Sequence, residues 1–240
     1  MAIKVEPEWI DEGDGAKALR LIPNGGEHLD PFVLFDEYFV DPSASFPMHP
    51  HGGFEGYQFL MEGSTEYNDN RGDRGLIGKG EMRRFVAGPG FEHSEYPRSS
   101  ETVRGYLVWI KLPSSRRDIP IHFRELHGDE VIVVENGVAV TRTVFGEGSP
   151  FEPHTPAVFK HYMFKKDTSM KFDITTGWNG FLYVSTGSVN ACGLDIGDRE
   201  GAFFEPGETC EIMIEAGTEM ALLRGRMLNE EIVQEGHFVR

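Results

Sequence analysis

Four residues in the first half of the chain have the types and the spacing of metal ligands. His49 and His51 are separated by one residue, and so are His93 and Glu95. Side chains at positions i and i+2 of a β-strand lie on the same face of a sheet, so the members of each pair can point the same way. If the two strands lie side by side, all four groups meet at one place. We therefore predict a mononuclear metal site formed by His49, His51, His93 and Glu95 on the inner wall of a small β-barrel.

The predicted donor set suits a catalytic ion better than a structural one. Imidazole nitrogen and carboxylate oxygen are ligands for divalent Fe, Ni, Cu, Mn or Zn. Four protein ligands leave one or two positions of a five- or six-coordinate ion open to a substrate oxygen or to O₂. A closed structural zinc site more often recruits Cys, and the two cysteines are remote from the histidines in sequence. The alternative is that these histidines are exposed on loops or hydrogen-bonded in the core, because a single His-x-His pair readily arises by chance.

Other carboxylates and imidazoles are weaker candidates. Glu55 follows His51 by four residues, falls on the same strand face and is the main rival of Glu95 for the oxygen ligand. We rank Glu55 first as a hydrogen-bond acceptor for a ligating imidazole, whose second ring nitrogen usually needs a partner; a surface carboxylate is the other alternative. The remaining histidines have no neighbour at ligand spacing and are expected to be structural or exposed: His28, His122, His127, His154, His161 and His237.

The elements that must position these residues are predicted to be strands. The 240 residues include 29 Gly and 14 Pro, and turn-type dipeptides recur along the chain, which is typical of folds with many short strands. The clearest strand patterns cover residues 32–40, 54–63 and 103–112. Helical patterns are confined to residues 116–126 and to the tail from Asn229.

An internal repeat indicates two copies of one β fold. Residues 57–64 resemble residues 182–188, since each is an apolar run ending in Gly-Ser, and a Gly-rich turn with Glu follows at 78–81 and at 206–208. Similarity between any two hairpins is the alternative explanation. We predict two domains, a metal-binding one over residues 1–127 and a second over residues 128–240.

Composition limits the classes of partner. The net charge is −16, and the basic residues form isolated pairs rather than a stripe. This argues against direct nucleic-acid binding and against anionic membranes. No apolar run is long enough for a membrane span, and the two cysteines form no Cys-x-x-Cys motif, so we expect a cytoplasmic protein with free thiols. A Cys192–Cys210 disulfide is the alternative.

Several segments resemble one known family. Residues 49–55 (HPHGGFE), 74–80 (RGLIGKG), 87–97 (AGPGFEHSEYP) and 228–239 (LNEEIVQEGHFV) are similar to the pirin family of the cupin superfamily. The resemblance implies an all-β bicupin, with two double-stranded β-helix (jelly-roll) barrels. It also implies one metal in the N-terminal barrel, held by the positions His49, His51, His93 and Glu95. The C-terminal barrel is expected to be metal-free, and Asp173 and Thr175 stand at the offset of the His-x-His pair.

The resemblance also carries expectations about function. Iron is the usual metal of the family, so Fe(II) is expected, with Ni, Mn, Co, Cu or Zn as alternatives. The implied activity is a quercetin 2,3-dioxygenase type ring cleavage of flavonols with O₂, in which Glu95 could also accept the substrate's hydroxyl proton. Apolar residues near the ligands could line a pocket for the aromatic substrate, with a place in the hydrophobic core as the equal alternative for each: Phe46, Met48, Phe54, Phe59 and Phe91.

Two other functions stay open from the sequence, and two residues depart from the family pattern. A redox-responsive co-regulator acting through a protein partner is the first alternative, and a metal-free bicupin with a structural role is the second. A monomer is expected. Gly52 stands where the family commonly has Arg, which removes a fork-shaped cation from the site mouth. Tyr96 stands where Met is common.

Overall fold

Two compact units make up the part of the protein that the computed structural model describes, residues 2–22 and 29–240. The first unit contains the described residues of 8–131 together with 228–240; the second contains residues 132–227 together with the described residues before Glu8. The domain boundary predicted from the sequence lies between residues 127 and 128. The structure divides the chain at 131/132, and each chain end belongs to the unit that is built mainly from the other half.

The described residues form strands almost throughout, with two short 3₁₀ helices at Ser114–Arg116 and Gly128–Glu130. In chain order the strands are β1 Ile3–Val5, β2 Glu8–Asp11, β3 Ala16–Ile22, β4 Phe32–Val40, β5 Phe46–His51, β6 Phe54–Glu62, β7 Ser64–Asp69, β8 Arg74–Gly78, β9 Met82–Val86, β10 Phe91–Pro97, β11 Val103–Lys111, β12 His122–Leu126, β13 Val133–Glu135, β14 Ala139–Phe145, β15 Ala157–Phe164, β16 Thr168–Asp173, β17 Trp178–Thr186, β18 Val189–Ala191, β19 Leu194–Ile196, β20 Glu200–Phe204, β21 Thr209–Ile214, β22 Glu219–Arg226, β23 Gln234–Glu235 and β24 Phe238–Val239.

Each unit contains one seven-stranded and one four-stranded antiparallel sheet, and the strand orders match. In the first unit the orders are β12-β9-β6-β11-β4-β3-β2 and β5-β10-β7-β8. In the second they are β1-β20-β17-β22-β15-β14-β13 and β16-β21-β18-β19. The predicted all-β bicupin fold and the internal duplication are therefore confirmed. The first unit also carries the two-stranded hairpin β23-β24 from the end of the chain.

Burial along the strands follows their place in the sheets. The central strand β6 is buried at eight of its nine positions, including the polar residues Glu55 and Gln58, because it has a neighbouring strand on each side in the seven-stranded sheet. Strands β7 and β21 alternate between buried and more exposed positions, as expected when one face meets the core. The strand patterns predicted over 32–40, 54–63 and 103–112 correspond to β4, β6 and β11.

Pairing registers correct the details of the repeat. The turn at Gly78–Glu81 precedes β9, and its counterpart before β20 is Gly197–Glu200, where the glycine amide again donates to the glutamate carboxylate. The repeat predicted from the sequence placed this counterpart at residues 206–208 instead. His49 pairs with His93, whereas Phe172 pairs with Cys210 at the same place in the second unit. Counted from these paired positions, the turn that follows β16 has one residue more than the turn that follows β5. The positions predicted as counterparts of His49 and His51, Asp173 and Thr175, are therefore each one residue too far along the chain.

The second unit has apolar side chains where the first has its four candidate ligands. The equivalent positions are Phe172, Ile174, Cys210 and Ile212, all within one buried hydrophobic cluster. Cys210 is joined to Cys192 by a disulfide, so the prediction of free thiols was wrong and the alternative pairing is found. No carboxylate or imidazole occupies any of these four positions, which is consistent with a barrel that binds no metal.

Neither predicted helix forms. Residues 116–126 contain the end of a 3₁₀ turn and then β12, and the tail from Asn229 forms the β23-β24 hairpin. Within the described ranges, every helix is too short and too polar to cross a membrane.

Candidate metal centre

The two predicted pairs lie on neighbouring strands of the four-stranded sheet. Strands β5 and β10 are antiparallel, with His93 directly opposite His49 and Phe91 opposite His51. The register shifts between His93 and Glu95, which is a β-bulge and brings Glu95 opposite Phe46. The i, i+2 spacing thus places the side chains as the sequence predicted, and all four of these residues line one cavity.

Three imidazoles converge through their Nε2 atoms. The Nε2 atoms of His51 and His93 are 3.0 Å apart, and those of His93 and His49 are 3.1 Å apart. Two nitrogens that each lie about 2.1 Å from one ion and subtend a right angle would be about 3.0 Å apart. The separations therefore fit neighbouring ligands around one ion.

The protonation states of the rings also suit a cation. His49 Nδ1 donates to the carbonyl of Pro47 at 2.8 Å, which leaves its Nε2 lone pair free. Burial, reinforced by the neighbouring imidazoles, holds the pKa of His51 well below its usual range. Burial likewise lowers the pKa of His93 to about 4. Both rings are neutral at pH 7, which is the form that binds metal.

The Glu95 carboxylate is held by polar side chains from β6 and β9. Its Oε1 accepts hydrogen bonds from Gln58 Nε2 at 2.8 Å and from the Arg83 guanidinium at 3.3 Å. Burial alone would raise the pKa of Glu95, but His93, Arg83 and Gln58 together keep it below the ordinary value. The carboxylate is therefore ionised and oriented. Arg83 is fully buried and also pairs with Glu125, so it fixes this part of the wall.

The candidate ligands open onto a cavity of about 300 Å³. Its walls are mainly apolar: Leu34, Val40, Phe46, Phe85, Val103, Leu107 and Trp109. Four side chains that line it carry a buried polar atom without a hydrogen-bond partner in the described part of the chain, namely Tyr38 Oη, Trp109 Nε1, His51 Nδ1 and His93 Nδ1. Buried donors of this kind normally have partners. The tyrosine and tryptophan donors are thus available to a bound molecule.

The far wall of the cavity contains a buried ion pair. The Arg20 guanidinium donates to both carboxylate oxygens of Asp36, at 2.9 and 2.7 Å, and to Glu12 at 2.7 Å. Because its positive charge is paired with these two carboxylates, Arg20 shapes the cavity wall rather than offering a free cation to a ligand.

Other sequence expectations for the site need correction. Glu55 accepts hydrogen bonds from Tyr57 at 2.7 Å and from Arg84 at 2.9 Å, and it does not line the cavity. Of the five apolar residues expected around a substrate, only Phe46 lines the cavity. Met48 is exposed, and the others belong to the core: Phe54, Phe59 and Phe91.

His237 is a histidine at the site that the sequence pattern did not reveal. It comes from the C-terminal hairpin and lines the same cavity, with its ring stacked on His51 at a centroid distance of 5.0 Å. Its centroid is 5.3 Å from that of His49. No local spacing links residue 237 to residues 49–51, so only the pairing of the chain end with the first unit reveals it. His28 lies outside the described residues.

Comparison with known proteins covers both halves of the chain. The family model described as Pirin matches residues 16–110, and the one described as Pirin C-terminal cupin domain matches residues 159–240. The chain belongs to the pirin family. A Pirin-like protein of Solanum lycopersicum is 32% identical over 247 residues, which cover 98% of this pirin and 84% of that relative.

Two bacterial pirin relatives carry more specific descriptions. A Pseudomonas aeruginosa protein, provisionally named as a quercetin 2,3-dioxygenase, is 31% identical over 250 residues that cover 95% of this chain and 87% of the relative. A pirin from Escherichia coli, whose crystal structure is a complex with nickel(II), shares the fold with a TM-score of 0.80 at 19% identity, over 95% of this pirin and 99% of the other chain.

Proposed function

We propose that this pirin is a metal-dependent dioxygenase that cleaves flavonols such as quercetin with O₂. His49, His51, His93 and Glu95 would hold one divalent ion, with Fe(II) first and Ni, Mn, Co, Cu or Zn as alternatives. The provisional name of the P. aeruginosa relative supports the reaction, and the nickel complex of the E. coli pirin supports a metal in this fold.

The observation that carries the proposal is the convergence of three Nε2 atoms at the edge of an apolar cavity. A cavity of about 300 Å³ lies at the lower end of the range for small-molecule sites. Its apolar walls favour a flat aromatic molecule. A bound ion would act as a Lewis acid that lowers the pKa of a substrate hydroxyl and would give O₂ an electron-transfer partner.

The other cavity residues would orient the substrate. Tyr38 Oη and Trp109 Nε1 are donors without partners among the described residues, so they suit the carbonyl and hydroxyl oxygens of a flavonol. Phe85 and Leu107 would contact its ring faces. Because His93, Arg83 and Gln58 keep the pKa of Glu95 below its ordinary value, this carboxylate is ionised, so it would bind the ion and would accept the hydroxyl proton of the substrate.

An aerobic quercetin assay tests the proposal. Metal-free protein is loaded separately with each divalent ion, and loss of quercetin absorbance and release of carbon monoxide are followed. His93→Ala should abolish both signals while His122→Ala, which alters an exposed histidine of the same unit, should retain them. The proposal fails if no ion supports turnover, or if His93→Ala is as active as the unaltered protein at the same metal content.

Partners and location remain predictions of the sequence. A small aromatic substrate and O₂ follow from the proposed reaction. A protein partner, the monomeric state and a cytoplasmic location are not needed by it, and gel filtration and subcellular fractionation would test the last two directly.

A further inference from the structure

The C-terminal hairpin docks on the turn that follows the His-x-His strand. Phe238 forms a parallel bridge with Gly52, the Gly52 amide donates to the His237 carbonyl at 3.2 Å, and the Val239 amide donates to the Gly52 carbonyl at 2.9 Å. Upstream, Glu230 binds Lys111 at 2.6 Å. These contacts fix the backbone on both sides of residue 237, so the position of His237 over the cavity is set by the fold.

Two glycines make this docking sterically possible. A Cβ at Gly52 would lie 2.7 Å from the Phe238 ring, and a Cβ at Gly53 would lie 1.8 Å from the Val239 carbonyl oxygen. Gly53 also has a positive φ of 86°, whereas Gly52 does not, so a side chain at position 52 conflicts only with the hairpin. An Arg at position 52 would therefore press on the Phe238 ring.

The ring of His237 approaches the candidate ligands from the exposed side. Each of His49, His51 and His237 has one ring nitrogen that lies within 4.8 Å of a ring nitrogen of the other two. Two ligands on opposite sides of one ion are about 4.2 Å apart. Neighbouring ligands are about 3.0 Å apart, so a rotation that moves the ring of the exposed His237 side chain by up to about 2 Å brings it to ligand distance.

We propose that His237, carried by the C-terminal hairpin, is an additional imidazole ligand to the ion held by His49, His51, His93 and Glu95. This rests on the proposed metal site of the preceding subsection. Five protein ligands leave one position of a six-coordinate ion for a substrate oxygen. Because His237 is exposed and its hairpin strands have two residues each, it is also the ligand that leaves most easily.

Metal affinity and ligand counting test the inference without reference to turnover. Co(II) is titrated into metal-free protein by visible absorbance, and one equivalent of Cu(II) is examined by electron paramagnetic resonance, in which coupled imidazole nitrogens can be counted. His237→Ala should weaken Co(II) binding about 10-fold, the lower end of the 10–100-fold range found when groups supporting a metal are removed. It should also remove one nitrogen coupling. His122→Ala should change neither.

A second variant tests the hairpin separately from the ring. Gly52→Arg should displace the Phe238 ring beside His237 and lose part of the affinity that His237→Ala loses, and the double variant should lose no more than His237→Ala alone, because both changes act on one interaction. If His93→Ala abolishes Co(II) binding while His237→Ala stays within twofold of the unaltered protein, this inference is overturned and the metal site stands. If the unaltered protein binds no Co(II), the proposed metal site itself falls.

Discussion

Replacement of Glu230 by Gln should release the C-terminal hairpin. The Glu230 carboxylate accepts from Lys111 Nζ at 2.6 Å, from the Ser114 hydroxyl at 2.6 Å and from the Ser114 amide at 3.0 Å. Lys111 and Ser114 lower the pKa of Glu230 to about 2. A shift of that size corresponds to about 3 kcal/mol. Since the side chain is 31% exposed, solvent screening reduces this to about 1.5–2 kcal/mol.

Hydrogen exchange measures the effect where it occurs. A loss of about 1.5–2 kcal/mol speeds exchange of a protected amide about 10- to 30-fold when exchange follows local opening. The amides to follow are those of Val239, bonded to Gly52, and of Val233 and Arg240, bonded to each other's carbonyls. Glu231→Gln is the matched control, because it makes the same charge change at the neighbouring exposed position.

The pH dependence has a defined sign. The pKa of Glu230 is depressed in the folded protein, so its contribution is present above the ordinary value of 4.5 and is lost as the pH falls toward about 2. Hairpin protection, corrected for intrinsic exchange rates, should therefore fall over this window in the unaltered protein and stay flat in Glu230→Gln. Unchanged exchange in Glu230→Gln, or equal acceleration throughout both sheets, would refute the reasoning.

Three further substitutions probe the cavity walls. Asp36→Asn should cost about 3 kcal/mol of unfolding free energy in a urea titration, because it leaves the buried Arg20 cation without its bidentate partner; a change below about 1 kcal/mol would contradict this. Tyr38→Phe removes the buried hydroxyl that has no hydrogen-bond partner among the described residues, so calorimetric quercetin binding should weaken several-fold, whereas no change would argue against Tyr38 as a substrate contact. Arg83→Met should lower Co(II) affinity about 10-fold by releasing Glu95, and an unaltered affinity would show that Glu95 is oriented without it.

The local part of the site could be predicted from sequence because strands impose a simple rule. An i, i+2 spacing fixes a common face, and the pairing of β5 with β10 then brings His49 opposite His93. The polar partners of Glu95 could not be predicted in the same way. Gln58 and Arg83 come from two other strands, and their contacts with Glu95 depend on how two sheets face each other, which no spacing encodes.

Two errors in the predictions made from the sequence have the same physical origin, which is the way distant strands are connected and paired. One additional residue in a turn shifted the predicted counterparts of the ligands to Asp173 and Thr175, although strand pairing places Phe172 and Ile174 there. His237 was missed because it reaches the site through pairing of the chain end with Gly52, across more than 180 positions of sequence. Register is fixed by long-range pairing and by turn geometry, and a single sequence records neither directly.

The long stretch of sequence between the cavity strands and the hairpin has a consequence for the order of events during synthesis. Every strand that forms the cavity and its three converging imidazoles precedes Val131, whereas the hairpin begins at Gln234. At ordinary translation speeds the intervening segment takes about 5–20 s to emerge. Throughout that interval a cavity that has already folded has no hairpin over it, so its three converging imidazoles are open to solvent before the hairpin can dock.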